Sequence, residues 1–334
     1  MILPMFEKTF VFKHSEQLLT LKCLNDIIIS SANIFVNQHI KKEKIMLVTM
    51  KEMLTDAQKH HYALPAFDVS NYEMMRAVLD VCEEEKSPAL LMGLGVDLVG
   101  KGLPLITSMV KAASDHYTVP VCFHLDHATD LDSIKAAIHV GFSSVMFDGS
   151  ELPFDENARR TAEVVAYAHA NGVTVEAELG HVGNAMVGNE KATVFNENAE
   201  DTLTLPDEVV RFVKITDVDA LAVAIGTSHG VYRSTPTLRI DRLDEIVSVC
   251  DRPLVLHGGS GTPDDQMKMA IKHGVTKINI YSDVVGAMNT ALRDKLNSIT
   301  NPSTWPAFVF EEARIKMKEV IREKIRTFGS CNRV

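Results

Sequence analysis

Cysteine is scarce in this sequence, and the few cysteines lie far apart. There are five in 334 residues, and no two of them form a C-x-x-C pair. A small scaffold held by disulfides needs a much higher density of cysteine, and a zinc site built on thiolates needs close pairs. We therefore expect a chain that folds without disulfides in a reducing, cytoplasmic compartment.

Excess positive charge and long apolar runs are also missing. Lysine and arginine number 34 against 44 aspartates and glutamates, which gives a net charge of −10. This charge opposes a nucleic-acid backbone or an anionic membrane as the main partner, whereas a small anionic substrate needs only a local site. No apolar run approaches the roughly 20 residues that span a bilayer, and residues 24–36, the most apolar N-terminal stretch, lack a cleavage site of small residues. The sequence predicts a soluble, cytoplasmic protein with neither nucleic acid nor membrane among its partners.

From residue 46 onwards, short apolar runs alternate with amphipathic segments of helical length. The runs are too short for helices and end in Gly, Asp, His or Ser. Near-continuous apolar runs are typical of parallel strands that are buried on both faces. The eight runs are residues 63–67, 88–93, 119–127, 143–149, 174–180, 220–226, 253–259 and 277–283.

Eight alternating β/α units predict the α/β class and a (β/α)8 TIM barrel over residues 46–334. The main competitor is a doubly wound open sheet, but the glycine-rich fingerprint that follows its first strand is absent. One extra C-terminal helix, residues 305–325, is predicted beyond the eighth unit. Residues 1–45 show no clear period, and we expect a poorly ordered extension or the product of an upstream translation start.

Four histidines follow predicted strands, on the side of the barrel where this fold places active sites. They are His127, His181, His229 and His257. The chain has 13 histidines, so a single one at a strand end would mean little, but three or four on neighbouring strands point to a common role. Three imidazoles that converge on one point form a catalytic zinc site with an open position for water or substrate. His124 is expected on the other side of its strand, in a structural role.

A second chemical signal is the pair of motifs after the seventh and eighth predicted strands. HGGSG (257–261) and NIYS (279–282) occupy positions at which this fold often binds phosphate. Small residues there let backbone N–H groups approach an anion closely, although glycines also end barrel strands for steric reasons. Zinc beside a phosphate pocket and a carboxylate suits carbonyl polarisation with proton transfer, which is enolate or aldol chemistry.

Five motifs, in order, resemble the class II ketose-bisphosphate aldolases, in the branch that contains the tagatose- and fructose-bisphosphate aldolases. The resemblance extends from residue 46 to about residue 329. The motifs are HLDH (124–127), EAELG (176–180), AIGTSHG (224–230), VLHGGSG (255–261) and KINIYS (277–282).

The resemblance implies a zinc-dependent aldolase of carbohydrate metabolism that reversibly cleaves a ketose phosphate or bisphosphate into dihydroxyacetone phosphate and an aldehyde. It implies His127, His229 and His257 as zinc ligands. It also implies Asp126 as the acid/base that acts on the hydroxyl at the cleaved bond, and Glu178 as a carboxylate near the metal. The residues implied for binding dihydroxyacetone phosphate, often with a monovalent cation (Na⁺ or K⁺), are Gly230, Gly258, Gly259, Ser260, Asn279, Ile280, Tyr281 and Ser282. Because the family is usually dimeric or larger, a homo-oligomer (dimer or tetramer) is implied.

Two segments depart from the family pattern. After the fifth strand, Asn184 replaces the second glycine of the usual motif, and the acidic pair of that loop is missing, with Glu190 as the nearest substitute. The same segment opens a 25-residue connection, His181 to Leu205, of a length that is usually functional or disordered. At the first strand, Asp68 stands where the family usually has asparagine. Since these segments are expected to face the aldehyde half of the substrate, fructose 1,6-bisphosphate should be a poor substrate.

Two other functions share part of this pattern. A zinc-dependent epimerase or isomerase of sugar phosphates would use the same metal and phosphate site but would release no triose phosphate. A non-catalytic subunit would stabilise or regulate another aldolase, although Asp126 together with three candidate ligands argues against that role. An assay coupled to triose phosphate separates the three.

Overall fold

The structure is a computed structural model that describes residues 47–184, 202–230, 232 and 235–334. The predicted N-terminal extension lies outside these ranges, and so do residues 185–201 of the long connection, with Glu190 among them.

Eight parallel strands close into a barrel, which confirms the predicted (β/α)8 fold. Their order around the barrel follows the chain, and the first strand pairs with the last, with Leu64 opposite Lys277 and Phe67 opposite Ile280. Every barrel strand overlaps one of the eight predicted apolar runs. Two further strands, β6 and β8, pair with each other and, among the residues that the structure describes, with no barrel strand. The strands are β1 Leu64–Asp68, β2 Ala89–Leu94, β3 Val121–Ala128, β4 Ser144–Phe147, β5 Thr174–Leu179, β6 Gly183–Asn184, β7 Ala220–Val223, β8 Ser228–His229, β9 Leu254–Leu256 and β10 Val275–Ile280.

Helices surround the barrel, and some of them begin at a side-chain cap. The Asn71 side chain accepts a hydrogen bond from Met74 N at one helix start, and Asp130 accepts one from Ser133 N at another. Across the described ranges, no helix combines the length and apolar character that a bilayer span requires. The helices are α1 Met50–His60, α2 Tyr72–Glu85, α3 Gly102–Ser114, α4 Leu131–Val140, α5 Phe154–Ala170, α6 Pro206–Thr216, α7 Ile240–Val249, α8 Asp264–Lys272, α9 Ser282–Ser298, α10 Pro306–Val309 and α11 Glu311–Phe328.

Side chains along the barrel strands alternate between two cores. Residues such as Phe67 and Phe123 face outward and pack under the surrounding helices. Their neighbours, including Ala66 and Cys122, face into the barrel, where they pack against α1. This helix lies at the amino end of the barrel, because Met50 reaches Ser144 at the start of β4. Since α1 closes the amino end, an opening for ligands is left at the carboxyl ends of the strands.

The C-terminal segment differs from the single helix predicted over residues 305–325. The chain bends at Phe310, which separates the short α10 from α11. The bend lets α11 lie against α2 and α9, with Ile321, Ile325 and Phe328 buried in the main core. The helix is additional to the eight β/α units, as predicted, and it packs into the barrel's outer layer.

Candidate functional site

The carboxyl ends of the barrel strands surround a cleft of about 540 Å³. Most of the site residues that were predicted from the sequence line this cleft, and Asp68, Asp148 and His181 line it as well. Ile280 and His257 are different: both are fully buried, Ile280 in the main core and His257 below the surface of the cleft. Of Ile280, only the backbone can face a ligand. The nominated residues that line the cleft are Asp126, His127, His229, Gly230, Gly258, Gly259, Ser260, Asn279, Tyr281 and Ser282.

Three histidines, His127, His229 and His257, converge at the base of the cleft; they are called the three-histidine cluster below. The ring centroid of His127 lies 4.8 Å from that of His229 and 4.6 Å from that of His257. One ring nitrogen from each histidine lies within 4.8 Å of the others. His181 lines the same cleft but lies outside this group. The three rings are close enough together to hold one metal ion.

A bulge in β3 turns His127 into the cleft. His127 has a left-handed backbone with φ 48°, and the pairing of β3 with β4 shifts register between Leu125 and Ala128. Consecutive residues of a regular strand point to opposite faces, but the bulge lets Asp126 and His127 both line the cleft. His124 lies deeper in the barrel, on the same face as Asp126, with its Nδ1 2.8 Å from Ser144 Oγ. The prediction that His124 and His127 lie on opposite sides of the strand is therefore wrong, because the bulge interrupts the alternation between them.

Asp148 orients the His127 ring. His127 Nδ1 donates to Asp148 Oδ2 at 2.7 Å, while Ser150 donates its backbone N–H and its hydroxyl to Asp148 Oδ1 at 3.1 and 2.7 Å. Burial acts to raise the pKa of Asp148, but the hydrogen bond and charge of His127 lower it below its usual range. With Nδ1 occupied as a donor, His127 presents Nε2 to the cluster.

His257 is oriented by two buried glutamates. Its Nε2 donates to Glu176 Oε1 at 3.0 Å, and Lys277 Nζ donates to Glu176 Oε2 at 2.8 Å. His257 Nδ1 lies 2.9 Å from Glu178 Oε2, without the alignment of a hydrogen bond. His257 thus presents Nδ1 to the cluster, the opposite nitrogen from the one that His127 presents.

The short strands β6 and β8 place His229 above the barrel. Gly183 pairs with Ser228, and Asn184 pairs with His229. Tyr232 braces the same segment, because its hydroxyl accepts from Ser228 N at 3.0 Å and donates to Gly258 O at 2.8 Å. β6 belongs to the segment that departs from the family pattern. It therefore pairs directly with β8, the strand that carries His229, a candidate metal ligand.

Backbone geometry requires glycine at two positions of the HGGSG motif. Gly258 has φ +67°, and a Cβ there would lie 2.4 Å from Ser228 O. A Cβ on Gly259 would lie 2.4 Å from Ile278 Cγ2, so this loop packs tightly on β10. Ser260 Oγ accepts from Tyr281 N at 3.1 Å, which ties the loop to the start of α9. The positive end of the α9 dipole faces the cleft and suits an anion.

Asp126 and Asp68 stand near each other at the cleft. Asp126 Oδ1 accepts from Asn279 Nδ2 at 3.2 Å. Burial and the nearby charge of Asp126 raise the pKa of Asp68 well above its usual range. Within the described part of the chain, Asp68 Oδ1 is buried and has no hydrogen-bond donor. The cleft therefore combines an oriented carboxylate with a second one that favours its neutral form.

Comparison with known proteins identifies the family. The family model "Fructose-bisphosphate aldolase class-II" matches residues 48–333 of the chain. The chain belongs to this family. It is a class II aldolase, a carbon–carbon lyase of a zinc-dependent family that acts on phosphorylated sugars.

Solved structures agree with this assignment. The YdjI aldolase from Escherichia coli K12 is 34% identical over 86% of this chain and 99% of its own, with a TM-score of 0.75. A putative fructose-1,6-bisphosphate aldolase from Coccidioides immitis is 30% identical over 85% of this chain and 96% of its own, with a TM-score of 0.74. The fructose-bisphosphate aldolase of Campylobacter jejuni is 22% identical over 87% and 98%, with a TM-score of 0.73, and shares the fold.

The donor set of the aldolase fits a zinc ion at the three-histidine cluster. Burial lowers the pKa of His127, but the carboxylates of Asp126 and Asp148 raise it to about 10, so this position favours positive charge. Burial lowers the pKa of His229 well below its usual range, which favours the neutral ring that a ligand requires, whereas His127 must release a proton when a metal binds. Glu178 Oε2 is a buried acceptor with no hydrogen-bond donor among the described residues. Three imidazoles in a negative surrounding are suited to a catalytic divalent cation.

Four residues around the site had no assigned role in the sequence: Asp148, Glu176, Tyr232 and Lys277. Glu176 and Lys277 carry a detectable signal, because each is a charged residue inside a strand that is predicted to be buried. Asp148 directly follows β4 and could have been weighed as a partner of a histidine. Tyr232 lies in a loop and carries no such signal.

We expect Asp148→Asn to weaken zinc binding by about 10- to 100-fold, the usual effect of removing a partner of a metal-bound histidine. Asp148 accepts hydrogen bonds on both oxygens, from His127 on one and from Ser150 on the other. Asparagine offers only one acceptor oxygen, so one of these partners must lose its bond. Competition with a chelator measures the zinc affinity.

Asp219→Asn is the matched control for this substitution. Asp219 is also a buried carboxylate that accepts from a histidine, His169 Nε2 at 2.7 Å, and from a backbone N–H, that of Val175. It precedes β7 and so lies at the amino end of the barrel. Its replacement should lower stability without changing zinc affinity. Equal affinities for the wild type and Asp148→Asn would show that Asp148 does not orient a ligand.

Proposed function

We propose that this aldolase holds zinc through His127, His229 and His257 and cleaves a ketose 1-phosphate into dihydroxyacetone phosphate and an aldehyde. The observation that carries the proposal is the three-histidine cluster, whose ring nitrogens lie within 4.8 Å of one another beside Asp126. The start of α9 lies at the same cleft and suits the phosphate.

Zinc at the cluster would supply Lewis-acid polarisation of the substrate's carbonyl and stabilise the negative charge that develops on its oxygen. Asp126 takes the proton from the hydroxyl on the neighbouring carbon, which allows the carbon–carbon bond to break. Asn279 donates to Asp126 Oδ1 and so leaves the other carboxylate oxygen for the hydroxyl. Glu178, within 2.9 Å of His257, adds negative charge that holds the cation in place.

The phosphate of the dihydroxyacetone half is assigned to the HGGSG and NIYS segments. Gly258, Gly259 and Ser260 line the cleft beside the first turn of α9, where the helix dipole favours an anion. Gly230 approaches from the neighbouring β8 segment. A monovalent cation, Na⁺ or K⁺, belongs to the same proposal and is supported by the resemblance to the family.

The far end of the substrate is assigned to the side of the cleft that departs from the family pattern. Asp68 and His181 line this cleft, and Asn184 pairs with the strand that carries His229. A pocket that leaves polar groups unpaired on the wrong substrate can discriminate by several orders of magnitude. The altered segments therefore support a ketose 1-phosphate that differs from fructose 1,6-bisphosphate at its far end.

We expect a panel of ketose 1-phosphates and 1,6-bisphosphates to show this preference. The preferred ketose 1-phosphate should have kcat/KM at least about 100-fold above that of fructose 1,6-bisphosphate, since mismatched polar groups readily cost that much. Release of triose phosphate, followed with a coupled assay, gives kcat/KM for each compound. If fructose or tagatose 1,6-bisphosphate is the best substrate, at about 10⁵ M⁻¹s⁻¹ or more, this assignment of the far end is wrong. A reaction that consumes substrate without forming triose phosphate would indicate an epimerase or isomerase.

The aldolase is further proposed to act in the cytoplasm as a homo-oligomer, a dimer or a tetramer. Within the described ranges, Cys82, Cys122, Cys250 and Cys331 are all free thiols, which suits a reducing compartment. The oligomeric state rests on the family resemblance. Light scattering of the purified chain tests it.

A further inference from the structure

A buried ion pair lies inside the barrel, beneath the three-histidine cluster. Lys277 Nζ donates to Glu176 Oε2 at 2.8 Å, and both side chains are 0% exposed. Lysine is almost never fully buried unless it is paired, and a buried ion pair adds little stability compared with apolar residues of similar volume. Apolar side chains, including Ala66 and Cys122, face the same interior. The pair therefore calls for an explanation other than stability.

Glu176 connects this ion pair to the cluster. Its second oxygen, Oε1, accepts from His257 Nε2 at 3.0 Å. His124 lies on the other side, with Nε2 3.8 Å from Glu176 Oε2. Burial and the charge of Lys277 lower the pKa of His124 to about 3, so that ring stays neutral. Glu176 is therefore held by two hydrogen bonds, from Lys277 Nζ to Oε2 and from His257 Nε2 to Oε1.

The chemistry of these donors places a proton on His257 Nε2. A lysine ammonium can only donate, and a carboxylate can only accept. Glu176 can therefore accept from Lys277 and from His257 at the same time only if His257 carries a proton on Nε2. A neutral imidazole has one such proton, so its lone pair is then on Nδ1. His257 Nδ1 is the nitrogen that faces the cluster, 2.9 Å from Glu178 Oε2.

We propose that Lys277 and Glu176 are positioning residues that hold His257 in the tautomer able to bind zinc, and thereby set the affinity of the site. This inference rests on the proposed function, because it takes His257 as a ligand. Lys277 acts through Glu176, and Glu176 acts through His257; neither is assigned a contact with substrate.

Glu176→Gln is the first test, because it keeps the shape of the side chain and removes one acceptor. Lys277 can only donate and so takes the single amide oxygen, which turns the amide NH₂ towards His257 Nε2. The NH₂ group is a donor, so it favours the tautomer whose proton is on Nδ1, where it blocks the metal. Zinc affinity, measured by chelator competition, should fall by about 10- to 100-fold.

A second substitution should restore the zinc affinity that Glu176→Gln removes. In the variant E176Q/K277M, no lysine competes for the amide oxygen, so the amide can turn and accept from His257 Nε2. Zinc affinity should recover by at least about 10-fold over E176Q alone, because losing the hydrogen-bond partner of a metal-bound histidine usually lowers metal affinity by about that factor. The visible absorption of the Co²⁺-substituted proteins should change with E176Q and return towards the wild-type spectrum in the double variant.

Three controls separate this role from a loss of stability. Asp219→Asn removes a buried carboxylate that contacts Lys51 and His169 at the amino end of the barrel, and should leave zinc affinity unchanged. Thermal unfolding of the zinc-free proteins measures stability independently. The variant E176M/K277M has no unpaired charge and no acceptor for His257, so it should fold and bind zinc more weakly than E176Q/K277M.

These outcomes separate the positioning role of Lys277 and Glu176 from the proposed zinc site itself. Wild-type zinc affinity in E176Q, or equal affinities in E176Q and E176Q/K277M, overturns the positioning role. If E176Q does not fold, equal affinities in E176M/K277M and E176Q/K277M overturn it instead. Zinc affinity that His257→Ala leaves unchanged contradicts the proposed metal site itself, whatever the glutamine variants do.

Discussion

Replacing His127 with alanine should yield a folded barrel that retains no zinc and releases no triose phosphate. His127 lies within 4.8 Å of both other rings of the cluster, so its loss leaves two ligands where a catalytic zinc needs three. The barrel should survive, because its cores are built from apolar residues away from the cleft. Zinc content, circular dichroism and a coupled assay measure the three properties.

His181→Ala is the matched control for this prediction. His181 lines the same cleft but lies outside the three-histidine cluster, so the variant should keep its zinc. His229→Ala and His257→Ala should behave like His127→Ala, and a chelator should abolish the activity of the wild type without unfolding it. Borohydride trapping that labels a lysine in the presence of substrate would instead indicate a Schiff base, and the zinc mechanism would be wrong.

Asp126→Asn should keep zinc and bind dihydroxyacetone phosphate, yet lose about 10²–10⁴-fold in kcat, the usual contribution of a positioned acid/base. Asparagine has the same shape, and its amide oxygen can still accept from Asn279 Nδ2. It cannot take a proton from the hydroxyl. Zinc analysis, a binding titration and steady-state kinetics on the best substrate of the panel measure the effect.

Glu151→Gln is the control for Asp126. Glu151 is an exposed carboxylate that lines the same cleft and has no assigned role, so its loss tests the effect of charge alone. The rate of this variant should stay within a few-fold of the wild type. A near-normal rate for Asp126→Asn would transfer the acid/base role to another carboxylate, with Glu178 and Glu190 next in line.

Most of the barrel could be predicted because strands buried on both faces must be apolar along their whole length. The runs that contain β2 and β7, for example, stand out against their polar surroundings. α1 was not predicted, because only four of its side chains, Met50, Met53, Leu54 and Ala57, are buried, and the rest of the helix is polar. The bend at Phe310 was also not predicted, because the apolar positions on both sides continue in a helical pattern.

Part of the site could also be predicted, because a barrel brings the ends of its strands to one rim. His127, His229 and His257 are more than 20 residues apart in sequence, yet each follows or ends a strand, so their convergence follows from the fold. The backbone of His127 could not be predicted in the same way. Alternation along β3 would turn it away from Asp126, and only the bulge at φ 48° brings it to the cleft.

The sequence by itself determined the barrel, the rim on which chemistry-bearing side chains collect and the family to which the chain belongs, because apolar periodicity and strand-end motifs are local. The tertiary structure alone decided how those side chains are aimed. Asp148 makes His127 present Nε2, whereas Glu176, held by Lys277, makes His257 present Nδ1. Glu176 and Lys277 are 101 residues apart in sequence. Their contact exists only because closing the barrel brings β5 and β10 into one interior, where a buried charge must find its partner.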